Sequence, residues 1–419
     1  MTTAPRTADR PPWLRPVVVA AACSLLGLAT LAGRPALPDQ VEVVGLGVGL
    51  VGAAFMLAWA ADAGEAVFSG GLVLAGVALV TVLPEFVIEV RFAYVQASEL
   101  VTANLTGATR LLLAGAVALP LVAIGVARSR PERRTAPVRL AENRRLELAV
   151  LLVTAVYAVQ VAFRGNLSVL DSVVLITLYV LYARRVQGTH GEEAATVGVA
   201  AGIVTLPERT RRRVVVGLIL GPGAVVLLVA NPFADALLAT GSSLGMDPYL
   251  LIQSVVPVAT ESPELVVVGV LVANHRPAQG MALFLASAVS QWTLGMGALP
   301  VAYLAGGGGP VMPLAPREQL ELAFTIAMTL FVVAALATLQ PRRVDMALVT
   351  VLYALQLLYP VPALRVAATF VLLVFALDLL LSRRRAVRPL LRAISARRGP
   401  SPWESRGTPG HDPTLREAP

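Results

Sequence analysis

The chain has 419 residues, a formal net charge of +8, 56% hydrophobic residues and only 14% charged ones, with a mean hydropathy of +0.73. A soluble chain of this length needs about 25% charged residues to cover its surface, so a water-soluble globular protein is excluded. The single Cys23 excludes an intramolecular disulfide framework and a cysteine-rich metal site. The basic residues are all arginine and flank apolar runs, a positive-inside pattern and not a nucleic-acid-binding face, despite the pI near 10.3.

Residues 1–15 are polar and carry Arg6, Arg10 and Arg15 ahead of an apolar run over 16–33. A basic leader followed by small residues also fits a signal peptide. The apolar run continues past Ala22-Cys23, however, and a retained first helix is expected. Further apolar runs lie at about 43–66, 69–91, 99–127, 146–163, 167–184, 213–240, 247–273, 278–304, 320–340, 344–359 and 362–382. Runs of about 20 residues cross a hydrocarbon core of about 30 Å as helices, and they are too continuously apolar for barrel strands. The expected fold is all-α, a polytopic membrane helix bundle of about 12 spans. The last segment, 383–419, is rich in Arg and Pro without apolar periodicity and is expected to be disordered.

Loop charge sets an expected orientation. The 128–145 and 185–212 loops and the ends at Arg342-Arg343 and Arg383-Arg384-Arg385 are basic, whereas 34–41 and 305–319 are nearly neutral. Both termini are therefore expected in the cytoplasm, in an inner cell membrane.

The chain also repeats itself. Leu146-Glu147-Leu148-Ala149 recurs as Leu320-Glu321-Leu322-Ala323, and Asp171 recurs as Asp345, both at an offset of 174 (320 − 146 and 345 − 171). Thr81-Val82-Leu83-Pro84-Glu85 is echoed by Thr260-Glu261-Ser262-Pro263-Glu264 at 179 (260 − 81). The difference of five is what one insertion or deletion in an intervening loop would give. Five spans per unit, over 43–184 and 213–359, force the second unit to enter from the opposite face. That is the inverted repeat of many secondary transporters, with the site at the midplane. The extra helices 16–33 and 362–382 lie outside the repeats, and 185–212 joins them.

Glu85 and Glu264 each follow proline inside an apolar run. A carboxylate there costs at least about 2.5–3.5 kcal/mol. Proline frees carbonyls of the preceding turn, and with a Thr hydroxyl and a carboxylate these are hard oxygen ligands for Na+ or Ca2+. A kinked helix with a salt-bridged glutamate is the plainer alternative, less favoured because the motif stands at equivalent places in both repeats.

These residues resemble the sodium/calcium exchanger membrane region of the calcium/cation antiporter superfamily, of which the chain looks like a divergent bacterial member. That family carries Ala-x-Gly-Thr-Ser-x-Pro-Glu on one helix and Gly-Asn-x-x-Gly-Ser-Asn-x-x-Asn/Asp on the next. Here Ala78, Thr81, Pro84 and Glu85 are followed by Asn104 and Gly107, and Thr260, Pro263 and Glu264 by Ser287 and Gln291. The resemblance implies that Thr81, Glu85, Thr260, Glu264 and Ser287 ligate the ion. Gln291 stands where the family has an acid or amide, Ala108 where it has serine and Leu112 where it has asparagine. Gln291 is nearer to the calcium/proton branch of the superfamily.

Glu89 and Glu261 share helix faces with Glu85 and Glu264. Glu89 is expected either in the site or solvated at the membrane edge near Arg91, and Glu261 in the site. Arg110 is expected as a counter-ion to one of these carboxylates, or as a built-in positive charge in part of the ion site. Four carboxylates less one arginine suit one divalent ion with a proton, or Na+ exchanged against H+. The expected function is a secondary-active antiporter for Ca2+ or Na+ against H+ (or Na+), with the lipid bilayer and small inorganic cations as partners. No resident cofactor, nucleic-acid partner or enzyme activity is expected. The alternative is a transport-inactive relative serving as a membrane sensor, with Arg110 as a cation substitute.

Overall fold

The computed structural model describes residues 11–67, 82–128, 138–186, 198–274 and 276–395. Helix α1 (Leu14–Gly33) packs along α2 (Asp39–Val67). Small residues allow this closeness: a Cβ on Gly27 would stand 2.6 Å from the Gly49 Cα, the small-residue contact by which membrane helices associate. Leu83–Tyr94 forms α3, with Pro84 in its first turn, and α4 is Ser98–Arg128. Two further helices, α5 (Arg145–Arg164) and α6 (Val169–Val186), close the first repeat.

The second repeat follows a short helix, α7 (Gly198–Val204), in a segment expected to be loop. It opens with α8 (Glu208–Ser243), which packs against α2 along much of its length. Next come α9 (Pro248–Thr260) and α10 (Ser262–Ala273), bent by 56° at the break between them. Pro263 lacks the N–H that would bond the Ala259 carbonyl, and the Ser262 hydroxyl donates to that carbonyl instead, at 2.8 Å. α11 (Pro277–Ser290) and α12 (Met296–Ala305) are joined by a π-helical turn, Gln291–Gly295. α13 (Pro316–Leu336) and α14 (Arg343–Leu358) repeat α5 and α6, and α15 (Pro362–Ser382) is the extra helix at the end.

Among the described residues eight helical stretches are long and apolar enough to span a membrane, α11 and α12 counting as one through the π-helical turn, and the bent α9–α10 pair makes nine. Of the other expected spans, 167–184 is the 18-residue α6 and 344–359 the 16-residue α14. The 69–91 span falls partly outside the described residues. A small antiparallel ladder, which the sequence does not announce, pairs β1 (Asn166–Ser168) with β2 (Val311–Pro313) and ties the two repeats together.

The tail expected to be disordered from residue 383 instead begins with a helix, α16 (Arg384–Ser395). Leu390 is fully buried against the bundle, with Ala386 and Val387 partly so. This narrow apolar stripe between arginines is enough to hold the helix.

Candidate cation site

The two prolines deliver their glutamates to one place. Glu85 lies in the first turn of α3 and Glu264 in the first turn of α10, the latter just past the α9–α10 break. A helix start offers unpaired N–H groups and favours negative charge, so the backbone helps to hold both carboxylates. The Thr260 hydroxyl, at the end of α9, lies against Glu85 while donating to the Val256 carbonyl at 3.0 Å. Thr81 lies outside the described residues.

Glu89 sits one turn beyond Glu85 and is only 1% exposed, well inside the bundle. Its Oε1 accepts from Asn104 Nδ2 of α4 at 3.1 Å and from Gln291 Nε2 at 2.5 Å. It therefore lies buried beside the other cluster residues, not at the solvated edge. The π-helical turn puts Gln291 there by adding a residue to the turn, a device that recurs at functional sites. Trp292 holds that turn by donating to Thr329 Oγ1 of α13 at 3.0 Å. Gly295 keeps the space open, since a Cβ on it would stand 3.3 Å from Gln291 Oε1 and 3.5 Å from Glu89 Oε2.

Glu261, at the α9–α10 break, is buried and within Coulombic range of Glu85, Glu89 and Glu264. Asp62 of α2 is a fifth acid, within range of Glu264 where α2 packs on α10. Sequence reasoning missed it. Its signal is Ala61-Asp62-Ala63, recurring as Ala234-Asp235-Ala236. Ser287 is half-buried on α11.

Three oxygens of this cluster are buried with no hydrogen-bond donor among the described residues: Glu85 Oε2, Glu89 Oε2 and Asn104 Oδ1. Buried acceptors are normally paired. Acceptors left together without donors, among carboxylates, are a set of hard oxygen ligands for a cation. Among the described residues no three acidic side chains converge closely enough to hold a metal alone, and Thr260, Asn104 and Gln291 bring neutral oxygens up to the carboxylates.

Arg110 requires a correction. It neither neutralises the glutamate cluster nor occupies part of it. Its guanidinium is fully buried and turned toward α13, donating to Glu321 Oε2 at 2.6 Å, the Glu321 carbonyl at 2.7 Å and Thr325 Oγ1 at 2.8 Å. Gln356 Oε1 accepts from it at 3.3 Å. Arg365 of α15 pairs with the other Glu321 oxygen, and Gln253 of α9 donates to both Glu321 Oε2 and Thr106 Oγ1 at 3.1 Å. Just beside this, α9 crosses α4 so closely that a Cβ on Gly107 would meet the Gln253 carbonyl at 2.1 Å. This buried network fixes α9, and with it Thr260, against α4 and α13.

The sodium/calcium exchanger protein family matches residues 41–186 and 214–375. The chain belongs to this family. It is also similar to the crystal structure of the H+/Ca2+ exchanger CAX, at 30% identity and a TM-score of 0.84, covering 91% of this chain and 98% of that one. The fold is shared with the structure of native YfkE, at 14% identity and a TM-score of 0.61, over 82% of this chain and 98% of that one. No curated protein sequence matches the chain. As an exchanger of this family the protein is a multi-pass membrane cation antiporter, and inorganic cations are what it carries.

Proposed function

We propose that the protein exchanges Ca2+ for H+ across the cell membrane by alternating access, with Glu85 and Glu264 binding cation and protons in turn and both termini in the cytoplasm. The observation that carries this reading is the group of donor-free buried oxygens on Glu85, Glu89 and Asn104 amid four glutamates. With Arg110 bonded to Glu321, no arginine among the described residues lends its charge to the cluster. Leaving four carboxylates uncompensated in a low-dielectric interior is costly, so something positive must replace the cation when it leaves. Protons serve this without extra ligands. A divalent ion suits the charge better than several Na+, because Leu112 and Ala108 supply no oxygen for a second ion. The likeness to an H+/Ca2+ exchanger at 30% identity supports the same pair of ions.

The reading of a transport-inactive sensor drew on Arg110 as a substitute cation, and its contact with Glu321 removes that basis. Ca2+ uptake by everted vesicles under an imposed pH gradient tests the proposal, with Na+ in a parallel arm. Uptake of Ca2+ that collapses with the pH gradient and is lost in Glu264→Gln is expected. Uptake driven by Na+ alone, or unchanged in that variant, overturns it.

A further inference from the structure

Helix α16 has two unlike faces. Ala386, Val387 and Leu390 turn inward onto the bundle, where the helix packs on α5. Arg384, Arg388 and Arg392 follow at steps of four on the other side, all exposed, with exposed Arg385 beside them. Residues four apart stack on one face of a helix, so the arginines form a stripe. Leu391, 50% exposed, lies next to that stripe.

The place of this helix is fixed. α15 has 21 residues, about 31 Å at 1.5 Å per residue, which uses up the hydrocarbon thickness before α16 begins. The break between them is held by Arg383, which donates to the Ala335 carbonyl at 2.8 Å and to Asp345 Oδ2 at 2.9 Å. Exposed Arg342 and Arg343 start α14 at this same end of the bundle. The stripe thus stands at the level of the lipid headgroups, beside a second basic pair.

We propose that α16 is an in-plane helix that binds anionic phospholipid headgroups, with its arginines on the phosphates and Leu391 in the acyl boundary. A basic helix with an apolar residue on its outer face is the chemistry that anionic leaflets recognise. Each arginine near such a surface strengthens lipid association by about fivefold. Neutral lipid gives the arginines no such gain, so the helix selects phosphatidylglycerol over phosphatidylcholine around the protein.

The test is the association of spin-labelled phosphatidylglycerol, relative to phosphatidylcholine, with the full-length protein in liposomes. The wild type should prefer phosphatidylglycerol, and the preference should shrink as salt is raised. The triple variant Arg384→Gln, Arg385→Gln, Arg388→Gln should lose at least about fivefold of that preference. The matching triple Lys variant should keep most of it. Equal preference in the Gln variant, or loss in both variants at unchanged thermal stability, overturns the proposal. So does full suppression of the preference by millimolar inorganic phosphate at constant ionic strength, which would mark a free-phosphate site. None of these readouts depends on which ions are exchanged.

Discussion

The two repeats share their Pro-Glu centres and differ in almost everything that supports them. Glu89 in the first repeat has Val268 as its equivalent, and Glu261 in the second has Val82. Gln291 stands where the first repeat has Leu112, and Asn104 where the second has Leu283. The cluster is therefore assembled across the repeat boundary, each half supplying what the other lacks. The contrast is sharper at the repeated Leu-Glu-Leu-Ala. Glu147 accepts from Arg144, three residues away at its own helix start, at 3.0 Å. Its counterpart Glu321 is fully buried and held by Arg110, Arg365 and Gln253 from three other helices. Where Arg110 stands, the second repeat has Val289. Duplication set the positions of the acids, and divergence then left one of them paired at its own helix start and made the other a hub.

The largest effect should separate those two glutamates. Glu321→Gln leaves Arg110 and Arg365 buried without their carboxylate, a change that costs about 3–5 kcal/mol. Glu147 is also buried, but its partner Arg144 is a single arginine whose side chain is 13% exposed, so Glu147→Gln should cost less, about 1–2 kcal/mol. Unfolding in detergent, followed by thermal or denaturant titration, measures both. Equal losses would mean that holding two buried arginines instead of one carries no energetic weight. Replacing Arg110, Glu321 and Arg365 together by leucine should recover much of the stability lost in Glu321→Gln, since the charges then vanish as a set.

Next in size is the loss of a shared centre. Glu85→Gln and Glu264→Gln should each lower cation uptake by more than about 100-fold, beyond the range seen for residues that only support a ligand, at near-wild-type stability. If one centre tolerates the change while the other does not, the two repeats are not equivalent in function, and ion coordination rests on one of them. Everted-vesicle uptake at saturating and limiting cation separates lost affinity from lost turnover.

How much of this is legible in the sequence follows from the range of the interactions. The Pro-Glu breaks are local, because proline acts on its own helix turn, and they could be read directly. The repeat is legible for the same reason, as matched short strings. The place of Glu89 is not, because nothing local fixes how deep one turn of helix sits in the membrane. The true carboxylate of Arg110 is not legible either, since Glu321 lies 211 residues away and pattern along one helix gives no sign of a neighbour at that distance. The α16 helix escaped notice because a stripe of three apolar residues among arginines has the composition of a solvated tail. Asp62 had a signal in its repeated Ala-Asp-Ala, but one too short to weigh before the packing of α2 on α10 gave it meaning.

The smallest effects test whether the cluster is built across the repeats in the way the contacts imply. Asn104 and Gln291 come from different repeats and donate to the same oxygen of Glu89. Asn104→Leu and Gln291→Leu should therefore weaken cation affinity by similar amounts, about 10-fold to 100-fold for groups that orient a ligand. They share one partner, so the double variant should fall short of the product of the two. Ser287 is the control. It matches a ligating position of the family, yet on α11 it is only half-buried, so Ser287→Ala should change affinity by about twofold or less. Affinity read from the cation dependence of uptake decides the order. A Ser287→Ala loss as large as that of Gln291→Leu would move the site one turn back along α11, toward the family's own arrangement and away from the one centred on Glu89.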